Sequence, residues 1–293
     1  YDTLVEWDYE TLKPKPGLAK WSYRDPKTMV FDITEGIKFH DGTPLDAEAV
    51  KFNIERDRQD PRSNVKADLT SVESVEVTGP LQVTLKLKNP DTALPAIFSD
   101  RAGMMVSPKA ARESGEKFGL KPVCAGPFKF VERVQQDRIV VEKFQDYWNK
   151  ANVHIDRIVY RPITDSTVRL ANLKSGGLDL IERLLATDVK EVKSDARLKL
   201  ASALELGYQG MTINVANGDK AKNPLGQNPK VRQALSYAID REALTQVVFN
   251  GEFVPGNQWI SPENPYYQKS IPVPKRDVAK AKALLKEAGV SGP

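Results

Sequence analysis

The sequence has 293 residues, 40% of them hydrophobic and 28% charged, and its 43 Lys and Arg against 39 Asp and Glu give a net charge of +4. A chain of this length exceeds the size at which a single core usually stops growing, so we expect two domains or lobes. The charges are interleaved and form no basic stripe of the kind that binds nucleic acid, and the single cysteine, Cys124, excludes an internal disulfide and a cysteine-based zinc site.

The first third of the chain predicts short strands, turns and one helix. Residues 28–33 read as a strand, and residues 37–40 read as its hairpin partner across a Gly-containing turn. A helix is predicted from the N-cap Asp46 to Asp60, because apolar residues recur at helical spacing between them. Two more hairpins follow, of residues 72–77 with 81–87 and of residues 128–131 with 139–141.

From Asp156 onward, strand and helix patterns alternate, which indicates α/β layering. A polar, Gly-containing loop at residues 217–228 is a predicted lobe boundary. Helices are predicted at residues 165–174 and after the N-cap residues Asn228, Asp240 and Asp277. The strands predicted in this part of the chain are residues 158–160, 178–181, 198–201 and 208–215.

Few residues point to catalysis. The sequence lacks a dinucleotide fingerprint, a phosphate loop, a serine-nucleophile elbow and a His-Glu-x-x-His pair. The two histidines, His40 and His154, lie outside any catalytic motif and are interpreted as structural or surface residues, and Cys124 as a buried, inert thiol. Four tryptophans could stack on a ligand or anchor a core, and scattered carboxylates leave a hydrolase open as an alternative.

Three separated segments resemble the family 5 extracellular solute-binding proteins. The first is residues 18–21 (LAKW) and 29–33 (MVFDI) with residues 37–50 (IKFHDGTPLDAEAV). The second is residues 126–130 (GPFKF) with 146–149 (DYWN), and the third is residues 228–241 (NPKVRQALSYAIDR). Their order and spacing fit that family over essentially the whole chain, although each segment also has an ordinary folding role as a turn, hairpin or capped helix.

The resemblance implies an α/β, bilobal fold like that of periplasmic binding proteins, of the large class with an extra subdomain. It implies that the sequence holds only the first lobe and the start of the second, with a signal peptide or anchor upstream and further ligand anchors beyond Pro293. The expected domains are the start of lobe I at 1–20, its extra subdomain at 21–118, its α/β core at 119–213, and the incomplete, mainly helical start of lobe II at 214–293.

The function that the resemblance implies is not enzymatic. Members capture a small ligand between two closing lobes outside the cytoplasmic membrane and deliver it to an ABC permease. We expect a periplasmic or membrane-associated extracellular monomer without a cofactor or a metal site of its own. A peptide is favoured as the ligand because peptides are common in the family, while an opine, a sugar or a metal chelate stays open. A hydrolase and a peptide-holding chaperone without an importer are the alternative functions.

Four residues are candidate ligand contacts. In such a cleft an extended peptide pairs with an exposed strand, and the predicted strand nearest the crossing between the lobes holds Tyr208, Met211 and Asn214. Arg101, at a predicted helix-to-strand turn, could hold a ligand carboxylate through two parallel hydrogen bonds. A core or hinge role for the first three, and an ion pair with Asp100 for Arg101, are the alternatives.

Overall fold

The computed structural model describes residues 1–204 and 207–290, and it divides into two compact units, Tyr1–Pro162 and Ile163–Pro293. Within these residues the strands belong to the first unit, whereas the second unit is built of helices and irregular segments. The lobe boundaries expected from the family resemblance stay a prediction.

The described residues form nine strands and nine α-helices. The strands are β1 (Val5–Asp8), β2 (Lys13–Pro16), β3 (Ala19–Asp25), β4 (Thr28–Ile33), β5 (Val72–Gly79), β6 (Gln82–Leu87), β7 (Phe128–Val134), β8 (Arg138–Lys143) and β9 (Arg157–Tyr160). The helices are α1 (Ala47–Gln59), α2 (Leu94–Ile97), α3 (Pro108–Ser114), α4 (Ser166–Lys174), α5 (Val189–Ser194), α6 (Pro224–Gln227), α7 (Pro229–Ala238), α8 (Arg241–Phe249) and α9 (Val278–Glu287).

The largest sheet has four antiparallel strands in the order β3-β4-β6-β5. The predicted strand at residues 28–33 and the predicted hairpin of residues 72–77 with 81–87 are confirmed as β4 and as β5 with β6. The predicted pairing of residues 37–40 with β4 is wrong. Both edges of β4 are already hydrogen-bonded, to β3 and to β6, so that segment instead makes one bridge between Lys38 and Pro44.

Helix α1 covers this sheet because its apolar residues lie on one stripe. Ala47, Val50 and Ile54 recur at helical spacing and are at most 1% exposed. The predicted N-cap is confirmed, since the Asp46 carboxylate accepts a hydrogen bond of 2.9 Å from the backbone N–H of Ala49. The helix thereby has a fixed start and a fixed buried face.

The core of the first unit continues from the sheet to the start of the chain. Phe31 of β4 meets Phe98 edge-on, with ring centroids 5.2 Å apart, and both rings are fully buried. Leu4 and Val5 of the first strand region are also fully buried in this cluster. Burial of such side chains is worth about 1.5–3 kcal/mol each, so the first residues of the chain are an integral part of the core.

The first unit also contains a three-stranded antiparallel sheet, in the order β7-β8-β9. The hairpin predicted from residues 128–131 and 139–141 is confirmed as β7 with β8, and the strand predicted at 158–160 as β9. β1 and β2 form a separate two-stranded pair.

The second unit begins with helix α4 and contains the predicted capped helices. The side chains of Asp165, Asn228, Asp240 and Asp277 each accept a hydrogen bond from a backbone N–H in the first turn of the helix that follows. Helices α7 and α9 pack together, and Lys230 joins Glu287 between them at 2.9 Å. The helix predictions for this region are therefore confirmed.

Three predicted strands of the second unit, at residues 178–181, 198–201 and 208–215, are wrong, because the described residues of these segments form no ladder. The segments are closed by local turns instead. The N–H of Leu178 donates to Asn172 at the end of α4, and the N–H of Leu198 donates to Asp195. In the third segment Asn214 bonds to the backbone of Asn217.

Within residues 1–204 and 207–290, no helix combines the length and the apolar character that crossing a membrane requires.

Candidate ligand-binding residues

Arg101 stands on a tight turn that the start of the chain holds in place. The backbone N–H of Val5 donates to the carbonyl of Phe98 at 3.2 Å, and that of Leu4 donates to Gly103 at 2.9 Å. Between these two anchors, residues Arg101–Gly103 form one turn of 3-10 helix. The turn is thus fixed from both ends, which gives the Arg101 backbone a defined position.

The Arg101 guanidinium is exposed and only loosely paired. Its nearest acid is Asp100, whose Oδ2 lies 3.8 Å from Nε, and both side chains are more than 60% exposed. No hydrogen bond within the described residues reaches its two terminal nitrogens. An exposed ion pair of this length contributes little, so the fork of Arg101 is available for an anion.

An open depression of about 500 Å³ lies beside Arg101, and its lining mixes both signs of charge. The residues that line it are Arg56, Asp57, Asp60, Arg62, Ser63, Asn64, Val65, Arg101 and Glu116.

Asp57 is the buried acid of this depression. It is 7% exposed, and its Oδ1 accepts hydrogen bonds from Nη2 and Nε of Arg56 at 3.0 and 3.3 Å. Burial raises the pKa of Asp57, and the neighbouring Arg56 offsets part of that effect. The carboxylate is therefore held in a place where its charge is only partly compensated.

A second depression, of about 330 Å³, shares Arg101 with the first. Its lining is mainly apolar, with Asp68 and Asp100 as its acids, and consists of Val65, Asp68, Ala93, Ala96, Ile97, Asp100, Arg101 and Ala102. Arg101 therefore stands between a charged depression and an apolar one.

The other three predicted contact residues lie in the second unit, in an irregular segment rather than on a strand. Tyr208 and Met211 are 55% and 65% exposed. The Asn214 amide is engaged at both ends: its Nδ2 donates to the carbonyl of Asn217, and its Oδ1 accepts from the N–H of Asn217, each at 2.8 Å. Tyr208 and Met211 are accessible to a ligand, while the side chain of Asn214 closes a loop.

His40 contacts backbone groups and Cys124 is buried, as expected of structural residues. His40 Nε2 lies 3.1 Å from the Gly126 carbonyl, Nδ1 accepts from the backbone N–H of Cys124 at 3.4 Å, and burial lowers the pKa of the imidazole. Burial raises the pKa of the Cys124 thiol to about 11. The prediction of a buried thiol is confirmed, and such a thiol is a poor nucleophile. His154 is exposed.

Two features, the burial of Asp57 and the contacts of Asp2, were not predicted from the sequence. Asp57 follows Ile54 by three residues and so falls on the apolar stripe of α1, which is a signal that an acid is buried there. Asp2 accepts hydrogen bonds from the side chains of Tyr147 and Trp148, at 2.8 and 3.2 Å. No local sequence pattern predicts these contacts, because Asp2 and its partners are about 145 residues apart in sequence. The second contact ties Trp148, which is 41% exposed, to the start of the chain.

Comparison with protein families identifies the chain. The family model described as "Bacterial extracellular solute-binding proteins, family 5 Middle" matches residues 13–293. The chain belongs to this family. The curated proteins to which it is similar include the glutathione-binding protein GsiB of Salmonella paratyphi A, 34% identical over 267 residues, which are 90% of this chain and 51% of that protein. GsiB of Pectobacterium atrosepticum is also 34% identical, with 90% and 50% covered. The chain spans about half the length of the curated relatives it matches.

Solved structures of similar proteins confirm the predicted fold class. The binding protein AgaA of A. tumefaciens R10, in complex with agropinic acid, matches with a TM-score of 0.85 and 28% identity over 99% of this chain and 58% of its own. The periplasmic binding protein DppA of Helicobacter pylori, in complex with the peptide STSA, matches with a TM-score of 0.85 and 25% identity over 99% of this chain and 60% of its own. These relatives are binding proteins, as the resemblance implied, and not enzymes.

Proposed function

We propose that this chain is part of an extracytoplasmic solute-binding protein that captures a small ligand, a peptide, between two closing lobes and delivers it to an ABC permease. The family match over residues 13–293 is the observation that carries this proposal. The protein acts as a monomer in the periplasm or at the outer face of the cytoplasmic membrane. Binding without turnover distinguishes it from a hydrolase, and dependence on a permease distinguishes it from a chaperone.

Arg101 is the proposed anchor for a carboxylate of the ligand, and Tyr208, Met211 and Asn214 are proposed further contacts. Support for Arg101 comes from its free guanidinium fork on a rigid turn between two depressions. Agropinic acid and the peptide STSA, named as the ligands of two relatives, both carry carboxylates. For Tyr208 and Met211 the support is exposure, and Asn214 would contribute through its backbone.

Native mass spectrometry of the whole protein purified from its host tests the proposed function. We expect peptide masses to leave the protein when the complex is activated in the gas phase. Cleavage products of an added peptide would favour a hydrolase. Protein that carries no small molecule, and that binds none from a peptide mixture, would contradict a peptide-binding role.

Replacing Arg101 by Ala tests the carboxylate anchor. We expect the affinity for a peptide with a free carboxylate to fall about tenfold or more, the usual effect of losing one charge-assisted hydrogen bond, with little change for the C-terminally amidated peptide. Isothermal titration calorimetry measures both. Arg133→Ala is the matched control, because this exposed arginine on β7 lines neither depression. Equal affinity of wild type and Arg101→Ala for the free acid would remove the anchor.

A further inference from the structure

His40 lies where two segments of the first unit meet, the turn at residues 37–44 and the segment at residues 123–127. Its backbone N–H donates to the carbonyl of Cys124 at 3.0 Å. Its imidazole faces the same segment, with Nδ1 3.4 Å from the backbone nitrogen of Cys124 and Nε2 3.1 Å from the carbonyl oxygen of Gly126. Because this segment leads directly into β7, His40 fastens the turn to the start of the three-stranded sheet.

The two contacts of the imidazole need one protonation state. A backbone N–H only donates, and a backbone carbonyl only accepts. Nδ1 must therefore carry no proton in order to accept from Cys124, and Nε2 must carry one in order to donate to Gly126. The neutral ring protonated at Nε2 meets both requirements. In the imidazolium both nitrogens carry a proton, so Nδ1–H would point at the N–H of Cys124, and that hydrogen bond would be lost.

The surroundings of the ring also favour its neutral form. The ring is half-buried and meets Phe144 edge-on, with ring centroids 5.1 Å apart. Burial lowers the pKa of His40, and the hydrogen bond to Gly126 offsets part of this effect. Asp2 favours the protonated ring, whereas the positive charges nearby disfavour it. The titratable and charged groups around the ring are the Tyr1 amino group, Asp2, Cys124 and Lys129.

We propose that His40 is an acid-sensitive latch, which holds residues 123–127 against the turn at 37–44 when its ring is neutral and releases them when the ring is protonated. The latch is a property of the first unit and goes beyond ligand capture. One consequence rests on the proposed function: a protein outside the cytoplasmic membrane meets the pH of the medium, so the latch would respond to external acid.

The direction of the pH effect follows from the lowered pKa of the folded state. An unperturbed histidine has a pKa of about 6.5, so above this pH the ring is neutral in both states and the latch contributes fully to stability. As the pH falls further, the unfolded chain takes up the proton more readily than the folded one. Stability is then lost until the pH has passed below the pKa of folded His40.

Nitrogen-15 NMR of the imidazole rings tests the protonation state in the unmodified chain. The chain contains two histidines, His40 and His154, and the ring signals that disappear in His40→Asn are those of His40. At pH 8 we expect a protonated Nε2 and an unprotonated Nδ1, and we expect the ring to titrate below about pH 6.5. A ring protonated at Nδ1 at pH 8 would refute the latch.

Denaturant unfolding between pH 8 and pH 5 tests the effect on stability. The Asn side chain offers an oxygen near the position of Nδ1 and does not titrate, so His40→Asn keeps an acceptor for Cys124 at every pH. Below about pH 6.5 the unfolding equilibrium constant of the wild type should rise by up to about tenfold per pH unit more than that of His40→Asn. His154→Asn, which changes an exposed histidine, is the control and should follow the wild type. Parallel pH profiles of His40→Asn and the wild type would overturn the proposal.

Hydrogen exchange at pH 5 and pH 8, corrected for the intrinsic pH dependence of the exchange rate, tests whether the release is local. In the wild type the backbone amide of Cys124 should lose protection at pH 5, while the amides of β4, which is paired on both edges, keep theirs. In His40→Asn the Cys124 amide should change no more than those of β4. Equal losses at Cys124 and in β4 of the wild type would mean that acid destabilises the whole unit, and the latch would have to be rejected.

Discussion

Replacing Gly103 by Ala is expected to lower the free energy of unfolding by more than about 3 kcal/mol, beyond the usual cost of overpacking of about 1–3 kcal/mol. A Cβ atom at this position would lie 1.7 Å from the carbonyl oxygen of Phe98 and 2.6 Å from its carbonyl carbon. Those atoms are backbone and cannot rotate away. The turn would have to open, and the hydrogen bonds from Val5 and Leu4 depend on it.

Denaturant unfolding followed by circular dichroism measures this effect. Gly119→Ala is the matched control, because nothing lies within 4 Å of a Cβ at that position. It should be neutral, or slightly stabilising through the lower entropy of the unfolded chain. If Gly103→Ala unfolds at the same denaturant concentration as Gly119→Ala, the turn that carries Arg101 is soft, and its role as a rigid anchor would have to be abandoned.

Much of the fold could be predicted because its signals are local. The N-caps Asp46, Asn228, Asp240 and Asp277 each act on backbone groups two or three residues away, so the sequence around the cap contains the whole interaction. The same holds for the hairpin of β7 with β8, whose strands are joined by a short turn. Such features need no knowledge of the rest of the chain.

The errors concern partners that are distant in sequence. β4 pairs with β6, about fifty residues later, and this pairing removes the edge that residues 37–40 were expected to occupy. The sequence of residues 208–215 fits a strand as well as the segments that do form strands. A strand forms, however, only where another strand supplies hydrogen-bond donors and acceptors. Hydrophobic periodicity predicts which residues are buried. It does not predict which segment of the chain will pair with them.

The candidate site divides in the same way. Arg101 could be predicted to lie at a turn, but the rigid placement of that turn depends on Leu4 and Val5 at the start of the chain. Asp57 shows the opposite case. Its position on the apolar stripe of α1 can be read from the sequence. The depression that Asp57 lines cannot be predicted in this way, because residues 63–65, 101 and 116 also form it. A charged residue on a buried helical stripe can thus be recognised from its neighbours in sequence, whereas the shape of the depression depends on residues that are distant in sequence.

Replacing Asn53 by Ala is expected to cost about 2–6 kcal/mol, the sum of two buried backbone groups left without partners at about 1–3 kcal/mol each. Asn53 is fully buried on α1. Its Nδ2 donates to the carbonyl of Val106 at 2.9 Å, and its Oδ1 accepts from the N–H of Val106 at 3.1 Å.

In the bridge between Val106 and Cys124, the hydrogen bonds are made by the flanking residues, from Ser107 to Val123 and from Ala125 to Met105. The amide of Asn53 therefore completes the pairing of Val106, and its removal takes this partner from both backbone groups. Asn152→Ala, which removes one exposed hydrogen bond, is the control and should change stability by less than about 1 kcal/mol. Equal losses in the two variants, measured by denaturant unfolding, would mean that the segment around Val106 readjusts and that α1 does not fix its position.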